Sequence, residues 1–64
     1  MVTINGEQVD VNGKTLADYL DGAGFDKSRV AVERNGEIVP RTTYGEAVLR
    51  EGDVIEIVRF VGGG

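Results

Sequence analysis

Residues 59–64 read Arg-Phe-Val-Gly-Gly-Gly, and the group there with chemistry to offer is a carboxylate. Gly62, Gly63 and Gly64 carry no Cβ, so an extended run of them passes through a channel that other residues would block. Three residues reach roughly 10 Å. That carries the Gly64 carboxylate into a nearby slot and is too short for a linker. Fixing each residue costs about 1–2 kcal/mol of backbone entropy. Residues 62–64 are therefore expected to be a flexible tail, ordered by a partner, behind a folded domain of residues 1–61. A frayed end is the ordinary alternative, and the elements before the glycines must decide between the two.

Other chemistry is scarce. The 64 residues include no cysteine and no histidine, which excludes disulfides, thiolate chemistry and the usual zinc ligands. Asp and Glu are scattered without calcium-loop spacing. Asp18 and Asp21, three apart, read as the solvated face of a helix rather than a catalytic pair. A chain this short buries only about 60% of its unfolded surface. It is expected to have no enclosed active-site cavity. The net charge of −4 argues against nucleic acid, whose binding needs Lys and Arg to neutralise phosphates. No apolar run approaches the ~20 residues of a membrane span, and Met1 is not followed by a signal-peptide core. The expected compartment is the cytoplasm.

Positioning comes from short alternating segments. Residues 2–5 alternate apolar and polar, as does Val9-Asp10-Val11, and Asn5-Gly6 between them predicts a hairpin. From Thr15 to Ala23 the period changes: Leu16, Tyr19, Leu20 and Ala23 share one helix face, with Thr15 placed as N-cap. Val30–Arg34 and Glu37–Pro40 flank Asn35-Gly36, a second hairpin. Residues 44–49 suggest one or two helical turns around Tyr44 and Leu49, and 54–61 the longest strand. One helix can cover only one face of a sheet. The order predicts an α+β fold, a β-grasp (ubiquitin-like) roll: a mixed sheet of four to five strands with one main helix packed on one face.

The last strand offers two faces. Ile55 and Ile57 form one, and Val54, Glu56, Val58 and Phe60 the other. A charge at Glu56 marks the second set as the solvent side. Either a twist or bulge turns Phe60 back into the core, or Val58 and Phe60 form a candidate docking patch just before the tail, with Arg59 beside them to meet acidic groups on a partner or to keep the strand end hydrated.

Over nearly its whole length the chain resembles the small ubiquitin-like sulfur carriers, and among them the ThiS type of the thiamine pathway. The resemblance rests on "VERNGEIVPR" at 32–41, "EGDVIEIVRFVGGG" at 51–64, and Tyr44 where that family often has tryptophan. It implies that an E1-like (ThiF-type) adenylyltransferase uses ATP and magnesium to adenylate the Gly64 carboxylate. Sulfur from cysteine, through a cysteine desulfurase, then gives a C-terminal thiocarboxylate that serves a ThiG-type thiazole synthase. The resemblance adds Arg41 to the partner-binding residues. It implies no catalytic residue, metal or cofactor bound by this chain. The sibling MoaD-like carriers of molybdopterin synthesis often carry prolines before the tail, and here there are none. A ubiquitin-like protein modifier and a non-carrier β-grasp binding module remain the alternatives.

Overall fold

The computed structural model describes residues 1–60. Its strands are β1 (Val2–Ile4), β2 (Glu7–Val9), β3 (Val30–Arg34), β4 (Glu37–Ile38) and β5 (Val54–Arg59), and its helix is α1 (Leu16–Gly22). Single 3-10 turns lie at Lys27–Arg29 and Arg41–Thr43. The sheet order is β2-β1-β5-β3-β4. β5 runs parallel to β1 and antiparallel to β3. This is the β-grasp architecture, with five strands and one helix.

The inward side chains of the three middle strands, Val2, Ile4, Val30, Val32, Ile55 and Ile57, are buried together with Leu16 and Leu20 of α1. Glu56 lies on the opposite side, and the alternation of β5 follows: Ile55 and Ile57 are buried, Val54, Glu56 and Val58 exposed. α1 itself is too short to stand alone. Thr15 caps it, its hydroxyl accepting from the Asp18 N–H at 3.1 Å. Leu16 and Leu20 are fully buried, Tyr19 is half-buried and Ala23 is exposed. The apolar stripe is therefore narrower than its sequence spacing suggests.

Both Asn-Gly pairs are hairpin turns. Asn5 and Gly6 have φ of 49° and 85°, and Asn35 and Gly36 of 52° and 85°, the left-handed pair that a two-residue turn matching sheet twist requires. Both asparagine side chains then reach β5. Asn5 accepts from the Ile57 N–H at 2.8 Å and donates to the Ile57 carbonyl at 3.2 Å. Asn35 accepts from the Val54 N–H at 2.9 Å. The side-chain amides thus extend the ladder where the neighbouring strands turn away.

Two expected elements differ. β2 occupies Glu7–Val9 rather than 9–11, because a two-residue turn starts pairing at once, Ile4 opposite Glu7. Residues 44–49 are not helical. Their carbonyls serve the start of α1: Leu16 N–H donates to Ala47 O at 2.8 Å and Ala17 N–H to Tyr44 O at 3.0 Å. Thr15 and Val48 form an isolated bridge. A helix would turn those carbonyls inward on its own ladder, and the first N–H groups of α1 would lose their acceptors. Tyr44 and Leu49 are buried all the same.

One buried charge sets the start of β5. Asp53 is 8% exposed and accepts from Arg34 at 2.6 Å, the Arg50 N–H at 3.0 Å and Asn35 at 3.2 Å. Arg34 also donates to the Val48 carbonyl at 2.7 Å. Burial alone pushes the Asp53 carboxyl upward, but the Arg50 N–H, Arg34 and Asn35 together outweigh it and hold the group below its ordinary value.

Two outcomes follow from this core. Leu20→Ala should lower unfolding free energy by ~2–5 kcal/mol, read as a lower urea midpoint. Because the folded Asp53 carboxyl is the more acidic one, its contribution is full above the ordinary carboxylate range of about pH 4 and fades as pH falls through the lower folded value. Asp53→Asn should therefore lower Tm at pH 7, and the gap to wild type should shrink in unfolding curves taken progressively below about pH 4.

Candidate functional site

The end of β5 is where the sheet, the loop after α1 and the turn after β4 meet. Pairing of β3 with β5 sets Val30 opposite Arg59 and Ala31 opposite Val58. The Phe60 N–H then donates to the Arg29 carbonyl at 2.9 Å, which carries the ladder one residue past the strand. Phe60 therefore leaves the sheet in a fixed direction. Phe60 is 52% exposed and Val58 is 58% exposed, and the alternation of β5 sets Val58 on the side away from α1.

Arg59 does not join them. Its register opposite buried Val30 turns it to the helix side, where its guanidinium lies 4.5 Å from the centroid of the Phe25 ring. That is a cation–π contact. Arg41 also points elsewhere: its Nε donates to the Lys27 carbonyl and its Nη2 to the Val30 carbonyl, each at 2.9 Å. Arg41 thereby ties the turn after β4 to the start of β3. Val58 lies on the outward face of β5, exposed Phe60 follows the strand's last residue, and Arg59 and Arg41 stand around the strand end, on the helix side and the β3 edge. Gly62, Gly63 and Gly64, with Val61, lie outside the described residues.

These contacts gather cations. Lys27 and Arg29 occupy the turn leading into β3, so together with Arg41 and Arg59 they place four of the chain's seven basic residues around the root of the glycine segment. Lys27 pairs with Asp21 at 3.1 Å and Arg29 with Asp26 at 3.6 Å. Asp26 is held below its ordinary value first by the Ser28 hydroxyl and then by the Ser28 N–H. Two shallow clefts flank Phe60. One is lined by Gly24, Asp26, Arg29 and Arg59, the other by Ile38, Val39, Pro40, Arg41 and Tyr44.

Sequence reasoning missed Phe25, whose ring orients Arg59. It also missed Ile38, 73% exposed and the barest large apolar side chain of the described residues. The signal for Ile38 was available. In the second hairpin Ala31, Glu33 and then Ile38 alternate outward once the turn is fixed at Asn35-Gly36. Among the described residues no helix is long and apolar enough to cross a membrane.

A model of the ThiS family matches residues 2–64. The chain belongs to the ThiS family. The sulfur carrier protein ThiS of Bacillus subtilis is 44% identical over 68 residues, covering all of both chains. A thiazole synthase of Magnetococcus marinus is 50% identical over 64 residues, which span 98% of this chain and 20% of that protein. A thiazole synthase of Paramagnetospirillum magneticum is likewise matched over 20% of its length, so the chain spans about a fifth of these two relatives. The crystal structure of the thiamine biosynthesis protein ThiS from Geobacter metallireducens superposes with a TM-score of 0.77 at 30% identity, covering 98% of this chain and 97% of that one. In this ThiS-family chain the exposed Val58 and Phe60 lie just before the glycine segment, with Val61 between.

Phe60→Ala should cost about 1 kcal/mol or less, since only half of a phenylalanine's burial is lost. A thermal melt beside that of Leu20→Ala checks the order: the leucine change should give the larger fall in Tm.

Proposed function

We propose that this chain is a sulfur carrier of thiamine thiazole biosynthesis and that its cargo rides on the Gly64 carboxylate. The observation carrying this reading is the end-to-end likeness to the Bacillus subtilis carrier, with the three glycines only two residues beyond the central strand. A carboxylate is a poor acyl donor, because its leaving group would be oxide. One Gly64 oxygen therefore attacks the α-phosphorus of ATP and pyrophosphate leaves, giving an acyl adenylate. A sulfur nucleophile adds to the acyl carbon and AMP departs. When that sulfur is the outer sulfur of a donor persulfide, the product is an acyl disulfide; a thiol then attacks the donor's sulfur, forms a disulfide with it and releases the Gly64 thiocarboxylate. Transfer of the sulfur to the growing thiazole and hydrolysis of the acyl group restore the carboxylate.

The ATP, the magnesium that neutralises its phosphates and the sulfur donor belong to partners. These are an E1-like, ThiF-type adenylyltransferase and a cysteine desulfurase that supplies the sulfur. This chain acts as their cosubstrate and binds no cofactor of its own. The acceptor is a ThiG-type thiazole synthase. The match of this domain to a fifth of two proteins named thiazole synthase supports that pairing. The dependence on ATP sets the reaction in the cytoplasm.

The folded domain's part is geometric. β5 aims the chain past Phe60, the patch of Val58 and Phe60 fixes a distance from the partner surface, and Gly62 and Gly63 thread the slot. Arg41 and Arg59, at the tail's root, face acidic groups beside that slot.

Intact mass spectrometry of the protein from its native cells is expected to show one terminal oxygen replaced by sulfur. A lysine conjugate in its place would overturn the carrier reading. Deleting Gly63 and Gly64 should leave Tm unchanged and abolish ATP–pyrophosphate exchange with the adenylating enzyme. Phe60→Ala should weaken binding to that enzyme about tenfold, the equivalent of 1.4 kcal/mol, in isothermal titration.

A further inference from the structure

The sheet face opposite α1 carries a contradiction in its own packing. The register of β3 on β5 sets Glu33 directly opposite Glu56, and the register of β4 on β3 sets Ile38 opposite Glu33. Both carboxylates are exposed, and among the described residues none of the ion pairs includes either of them. Like charges directly opposite on one face of an antiparallel pair destabilise it. The surroundings do not make the pair a hydrated polar patch either. Val54 and Val58 stand two residues to each side of Glu56 on the same face, Ile38 flanks Glu33 on the next strand, and all three are about half exposed or more. A row of apolar side chains thus encloses two unneutralised carboxylates at the middle of an uncovered face.

We propose that this face docks a partner protein presenting one lysine or arginine amid apolar residues, with the cationic head seated between Glu33 and Glu56. The proposal rests on the carrier reading for the identity of that partner and goes beyond it in naming the contact. Charge complementarity selects the occupant. A second copy of this chain laid on the same face would bring carboxylates against carboxylates, and a nucleic acid would bring phosphates against them. A basic side chain removes the repulsion, and its aliphatic stem lies along one of the flanking valines, Val54 or Val58, while its head remains hydrogen-bonded. The isolated domain is destabilised by the pair, and the complex is relieved of it, so the strain of the free state adds to the preference for the bound one. The contact also fixes register, because a single cation between two strands locates the partner along β5 and thereby the distance to Gly64.

The test pairs stability with affinity. Glu33→Gln, Glu56→Gln and the double substitution are made in the full chain, with Glu46→Gln, an exposed glutamate elsewhere, as control for net charge. The probes are the adenylating enzyme and the thiazole synthase of the same organism. We expect the Gln variants to melt at a higher temperature than wild type. At least one of the two partners should bind them about tenfold or more weakly, the loss of one charge-assisted hydrogen bond. That partner's affinity should also depend less on salt, and Glu46→Gln should change neither property. If both partners bind the double variant as tightly as wild type while adenylation proceeds, the docking proposal is overturned and the carrier reading stands. If wild type is neither bound nor adenylated, the carrier reading falls and this proposal with it. Sedimentation showing a wild-type dimer that the double variant loses would assign the face to a second copy and also overturn it.

Discussion

A strand in the middle of a sheet needs hydrogen-bond partners along both edges, and in this chain the strand with that need is β5. Its neighbours, β1 with three residues and β3 with five, do not run its whole length on both sides. The deficit is met by side chains: Asn5 on the β1 edge, Asn35 on the β3 edge. Each asparagine belongs to a turn that already requires positive φ at its position, and asparagine tolerates that better than most residues. One residue type therefore solves a local and a long-range problem together. Asp53 anchors the strand's first residue through Arg34, Arg50 and Asn35, and removing one partner of this part-buried pair leaves the other's charge only partly solvated. In a domain whose whole stability is about 5 kcal/mol or a little more, that network decides whether β5 is held in place.

Function depends on the same strand. Everything proposed for the glycines needs their origin to be fixed relative to a docking face, and β5 supplies both. Its outward residues are Val54, Glu56 and Val58, and Phe60 follows on the extra hydrogen bond to Arg29. The cations collected around its end stand on an acidic chain, so the molecule is polar in a literal sense: basic where the tail departs, acidic at the centre of the open face. A partner must match both to engage the domain in one orientation, which is how charge patterns set register more than affinity.

Much of this was legible before any coordinates. The hairpins were readable because Asn-Gly satisfies a stereochemical demand few pairs meet, and the buried face of β5 because a central glutamate excludes the alternative. The stretch around Tyr44 and Leu49 was not, since its spacing suits a helix while its carbonyls are claimed by the first turn of α1, a demand arising from residues about 30 positions away in sequence. Nothing local marks Arg34 and Asp53 as partners for the same reason. Within the candidate site, Phe60, one residue past the strand, could equally have turned back into the core, whereas the exposure of Val58 followed from alternation. The turning of Arg59 onto Phe25 did not, because nothing local reports which aromatic ring the loop after α1 will deliver.

The pairing of β1 with β5 has a temporal consequence. Thr3 lies beside Val54 and Ile4 beside Ile55, so the sheet cannot close until the chain has been made through its final strand. Contacts so distant along the chain are slow to form, because loop closure precedes any reward from them. On the ribosome the first fifty or so residues must wait, without a central strand, for their fold to be completed. A chain broken off before β5 would present neither the sheet face nor the tail to an activating enzyme, so possession of the native sheet itself certifies that synthesis has passed the strand from which the glycine segment follows.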